Sequence, residues 1–122
     1  MRSDIHNRLQ DQLIIYYRSL GHIAMKEYFI NGKKIDVLNW DGSNKLIIGN
    51  EIELSPKHGV DNIIRDLQAG CDEVRVFALN PTVLTQIKNN ALRALDSETL
   101  SKVDFYLIKD FFQLNTTKTY TE

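Results

Sequence analysis

The chain has one cysteine, two prolines and six glycines in 122 residues, and each scarcity excludes something. A lone Cys71 cannot close an internal disulfide, which fits a reducing compartment and a cytoplasmic protein. A small buried apolar side chain at a helix end is its ordinary reading. The glycines are scattered, with neither a GxxxxGK run nor GxGxxG, so ATP and dinucleotide chemistry, and a nucleotide cofactor with them, are disfavoured. His6, His22 and His58 lie too far apart for zinc spacing, and a Cys71–His58 nucleophilic pair has no third group to orient it. No stretch approaches the roughly 18 apolar residues of a membrane span, and the opening M-R-S-D-I-H-N is polar, unlike a signal peptide. A large excess of either charge is also missing. The formal net charge of −1 argues against a polybasic DNA binder, although an acidic metal site can mask a local basic surface in that sum.

What is present reads as one α/β domain over residues 1–114, followed by a polar, disordered tail over residues 115–122. From Ser3 to Leu20, Ile5, Leu9, Leu13, Tyr16, Tyr17 and Leu20 recur at helical spacing, with Ser3 or Asp4 as cap and Gly21 as stop. Arg8 and Arg18 on the opposite face read as solvated, with phosphate contact as the alternative. A strand over His22–Ile30, the hairpin signal Asn31-Gly32 and a strand over Lys34–Trp40 follow. The turn Asp41-Gly42-Ser43-Asn44 leads to a central strand, Lys45–Leu54. Ser55 and Pro56 fit the N-cap and first position of a helix carrying Val60, Ile63, Ile64, Leu67 and Cys71, with Gly59 as an alternative start and Gly70 as stop. A strand over Glu73–Leu79, a helix from a Thr82 cap to Leu95 and a strand over Lys102–Ile108 complete the chain. The strand–helix–strand unit implies a parallel pair with a right-handed crossover.

The chemistry gathers at three acids. Glu51 and Glu53 are two apart on one strand and so share a face, while the Asp41-Gly42 turn folds the Asp36 strand back beside them. Two such charges about 7 Å apart repel by roughly 2 kcal/mol at an effective dielectric near 20, so the cluster favours raised pKa values or a bound cation. Hard oxygen donors suit magnesium. Glu27 falls opposite Asp36 in the hairpin and reads equally as a fourth carboxylate or as an edge residue. Gly49, inside the third strand, marks a bulge or a close approach.

An Asp on one strand, Glu-x-Glu on the next and a polar-faced helix leading to a further strand resemble the PD-(D/E)xK nuclease superfamily over roughly Leu20–Leu79. The resemblance implies a restriction-endonuclease-like αβββαβ core, a mixed sheet flanked by helices, with one extra helix and strand at the C-terminus. It implies a nuclease that hydrolyses DNA phosphodiesters with magnesium, or manganese in its place. Asp36, Glu51 and the Ile52 carbonyl would hold the metal, with Glu27 as a further ligand. Ile35 stands where the motif has proline. Glu53 stands at the motif lysine; either it takes that role, or Lys57 replaces it, or activity is lost. By the same resemblance Lys57, Asn62, Arg65 and Gln68 approach the DNA phosphate, against a solvated helix face as the ordinary reading, and two copies pair as a homodimer. The rival class is a non-catalytic nucleic-acid-binding or assembly module that keeps the fold. A third reading, carboxylates merely solvating an exposed sheet face, is handicapped by the apolar run Leu46–Ile48 that leads into them.

Overall fold

Two antiparallel hairpins followed by two parallel crossovers build the sheet, and the computed structural model describes residues 4–113. Helix α1 (Asp4–Ser19) leads into β1 (Ile23–Ile30), β2 (Lys33–Asp41) and β3 (Leu46–Glu53). Then come α2 (Gly59–Gln68), β4 (Glu73–Ala78), α3 (Pro81–Ala94), the short α4 (Ser97–Leu100) and β5 (Val103–Leu107). The spatial order is β1-β2-β3-β4-β5, antiparallel through β3 and parallel from β3 to β5. The expected α/β architecture, a mixed five-stranded sheet flanked by helices, is the one observed. The tail over residues 115–122 lies outside the described residues.

Local chemistry sets the turns. Asn31 and Gly32 both take positive φ, 50° and 76°, which matches the twist of a two-residue hairpin. At the second hairpin the Asp41 carboxylate accepts from the Ser43 and Asn44 backbone N–H groups at 3.1 and 3.3 Å. At α2 the alternative start is the one used, and at α3 the cap differs from expectation. Ser55 and Pro56 lie in a bend, and α2 begins at Gly59, where an added Cβ would stand 2.8 Å from Ile87 Cγ2. The close approach of α2 to α3 thus outranks the local capping signal. Helix α3 is capped by Asn80, whose side chain accepts from Val83 N at 2.9 Å, with Pro81 rather than Thr82 opening the helix. Helix α4 and the helical residues 108–113 were not anticipated.

The sheet carries a core on each face. Leu13, Ile14 and Tyr17 of α1 and Phe111 of residues 108–113 join Ala24, Val37, Ile52 and Phe77 in one core; Ile63 of α2 and Val83 and Ile87 of α3 join Ile35, Val74 and Val76 in the other. Helix α1 is rotated from the expected stripe: Ile5 and Leu20 are exposed, whereas His6 and Gln10 join Leu13, Ile14 and Tyr17 on the buried side. Strand β2 changes face midway. Ile35 and Val37 are two apart yet belong to opposite cores, so the alternation slips at Asp36. Opposite it, the ladder pairs Lys26 with Val37 and Tyr28 with Ile35 but omits Glu27 with Asp36, and Glu27 takes φ 52°.

Candidate functional site

The slip at Asp36 coincides with the point where β2 leaves β3. Their ladder ends at Val37 opposite Asn50, and beyond it the Ile52 N–H donates to Asp36 Oδ2 at 2.9 Å instead of to a backbone carbonyl. A side chain has taken over from a strand. Helix α1 closes over this point: His6 Nε2 lies 3.2 Å from Asp36 Oδ2, and Gln10 Nε2 donates to the Asp36 carbonyl at 3.0 Å. Asp36 is therefore buried and held from both sides.

On the α2 face of β3 the alternation puts Gly49, Glu51 and Glu53 in a row, with Asn50 and Ile52 turned toward α1. Asn62 Nδ2 donates to Glu53 Oε2 at 2.8 Å, and Arg65 Nη2 donates to Glu51 Oε2 at 3.1 Å. Arg65 also reaches Asp66 Oδ1 at 3.3 Å. Asp66 is fully buried, and its Oδ2 finds no N–H donor. Room for it exists because residue 49 is glycine: a Cβ there would sit 3.1 Å from Asp66 Oδ2 and 3.0 Å from Cys71 Sγ. The expected close approach at Gly49 is made by these two side chains.

Burial and crowding raise the acids. Burial pushes Glu51 well above the usual carboxylate range, the hydrogen bond from its acid proton to the Asp66 carboxyl adds to this, and the Asp36 and Asp66 charges add more. Arg65 opposes the rise. Glu53 is pushed up to about 7, first by burial, against the hydrogen bond from Asn62 and with a contribution from the Asp36 charge. Asp66 is raised by its burial. The cluster thus carries fewer negative charges than its four carboxyls suggest.

The sequence-derived residues separate into those that converge and those that do not. Asp36, Glu51, Glu53, Asn62 and Arg65 converge around Ile52. Lys57 is exposed and lines a groove of about 290 Å³ with Pro56, Val60, Asp61, Asn90, Arg93 and Ala94, so the cation in contact with Glu51 is Arg65. Gln68 is exposed. Glu27 pairs with Lys34 Nζ at 2.6 Å on the edge hairpin. Of the α1 cations, Arg18 donates to the Ala24 carbonyl at 2.9 Å. His6, Gln10 and Asp66 were missed. His6 and Gln10 lie at helical spacing with Leu13 and Tyr17, which was the available signal, and Asp66 lies three residues after the buried Ile63.

Among the described residues, no three His, Cys, Asp or Glu side chains are grouped as they stand to hold a metal ion, and no helix is long and apolar enough to cross a membrane. No family model, curated protein or solved structure matches the chain.

Proposed function

We propose that the protein is a magnesium-dependent nuclease acting on DNA phosphodiesters, built on the αβββαβ core of the restriction-endonuclease-like fold. One observation carries the reading: the Asp36 carboxylate meets β3 between Glu51 and Glu53, 2.9 Å from Ile52 N, where two strands part. The order helix, antiparallel three-strand meander, helix and parallel strand supports the same reading.

The donor set fits a hard divalent cation, because every side-chain ligand offered is a carboxylate oxygen. Glu51, Glu53 and Asp66 share only the donors Arg65 and Asn62, which marks the excess of acceptors. Asp36 and Glu51, with the Ile52 carbonyl, would hold magnesium or manganese. Such an ion supplies Lewis acidity to the phosphoryl group and lowers the pKa of a bound water. The chain's own residues do the rest. Glu53, pushed up to about 7 by burial before any cation binds, stands two residues from Glu51 on the same face, where it would receive a proton from the attacking water. Asn62 fixes Glu53 for this, and Arg65, partly exposed beside Glu51, would meet the phosphate. Lys57 and Gln68 lie farther along the same stretch as DNA contacts.

The test is metal-dependent cleavage of duplex DNA by Asp36→Ala and Glu51→Ala. Each loses at least about 100-fold, as expected for removal of a metal ligand; unchanged cutting in either ends the assignment. One observation favours the second reading, a module that keeps the fold without turnover: Glu51 already has Arg65 as an internal cation, and Asp36, Glu51 and Glu53 are each 6% exposed or less. Calorimetry with manganese separates the two, since a module shows no uptake at this cluster.

A further inference from the structure

The geometry points to Arg65 as an exchangeable counter-ion: in the free protein its guanidinium occupies the Glu51 carboxylate that a divalent cation needs, and on cation binding it turns to a phosphate of the DNA. The inference rests on the nuclease reading above and adds to it what the site must give up before it can act.

Three features carry it. The acids are enclosed while the cation reaches solvent: the Glu51 and Asp66 side chains are 2% and 0% exposed, but that of Arg65 is 29% exposed. The contacts are unequal. Arg65 Nη2 makes one contact to Glu51 Oε2 at 3.1 Å, whereas Asp66 Oδ1 lies 3.3 Å from Arg65 Nε and also pairs with Nη2. Breaking the Glu51 contact leaves the guanidinium tethered through Nε, with Asp66 wedged against β3 at Gly49 as a rigid post. Finally, the charge cannot be switched off. Arginine keeps its proton at any working pH, so a divalent cation arriving at Glu51 must compete with a resident positive charge that lies 3.1 Å from Oε2. The released fork suits two phosphate oxygens, and Asn62, three residues earlier, lies on the same side of α2. Arg65 therefore touches the substrate, and Asp66 is a positioning residue acting through it.

The experiment is manganese calorimetry on the full chain, comparing wild type with Arg65→Gln, which keeps a hydrogen-bond donor and loses the charge. Removing the competitor tightens manganese binding at least about tenfold, the scale of one close charge pair. It also weakens binding of a short DNA duplex in the presence of calcium. Wild type that binds manganese while R65Q binds it no more tightly overturns the exchange and leaves the nuclease reading standing; no uptake by either protein overturns both. Should R65Q fail to fold, magnesium titration of wild type decides the matter by the Arg65 guanidinium NMR signals. A shift with faster proton exchange as Glu51 lets go supports exchange, and an unchanged signal at saturating magnesium refutes it.

Discussion

The two faces of β3 bury polar groups by opposite means. Toward α1 amides and a hydroxyl pair with one another: Tyr17 donates to Asn50 Oδ1, Asn50 Nδ2 donates to the Val37 carbonyl at 3.0 Å and to Asn39 Oδ1 at 2.7 Å, and Asn39 meets His22 at 3.0 Å, while Gln10 Oε1 and Arg75 Nε stay buried without a partner. Arg75 adds a donor to the Tyr17 hydroxyl at 3.0 Å, and burial still pushes that phenol up to about 12. Toward α2, Glu51, Glu53 and Asp66 share Arg65 and Asn62, so acceptors outnumber donors. A network of paired amides and hydroxyls fastens a helix to a sheet. One with excess acidic acceptors stores unfavourable charge that a ligand can relieve, which is why the second face, and not the first, reads as the site.

Breaking the face toward α1 costs most. Asn50→Ala leaves the Tyr17 hydroxyl and the Val37 and Asn39 oxygens buried without this partner, and we expect a loss of about 3 kcal/mol in urea unfolding. A loss under about 1 kcal/mol would mean that α1 is held by its apolar contacts alone. The acidic face shows itself next, in pH dependence. Because the Glu53 pKa is raised from 4.5 to about 7, the folded state binds the extra proton; the resulting stability is full below pH 4.5 and is lost as pH rises through about 7. Glu53→Gln flattens this slope, and an unchanged slope assigns the titration elsewhere. The smallest effect sharpens the contrast by its sign. Asp66→Asn keeps an acceptor for Arg65 and gives Glu51 a donor, so we expect about 1 kcal/mol of added stability at pH 7. A polar deletion that destabilises one face and a charge removal that stabilises the other together test whether the faces differ as described.

Much of the frame was legible in the chain itself. Asn31-Gly32 announced the first hairpin, Asp41-Gly42 the second, and the apolar run entering Glu51 announced a central strand, because turns and strand periods depend on a few neighbouring residues. The pairing of Glu51 with Glu53 on one face followed from the same alternation. Asp36 was placed near them by turn logic, but its route was not foreseen. Alternation alone cannot anticipate a strand that slips by one and replaces a ladder bond with a carboxylate.

The local order of helices and strands, the two hairpin turns and the shared face of the two glutamates were fixed by the amino-acid sequence, since each depends on interactions within a few residues. Only the tertiary structure decided that His6 and Gln10 turn inward, that Asp66 lies beneath Gly49, and that Arg65 rather than Lys57 faces Glu51. A polar side chain is buried where partners distant in sequence can receive it, and for His6 that partner is 30 residues away.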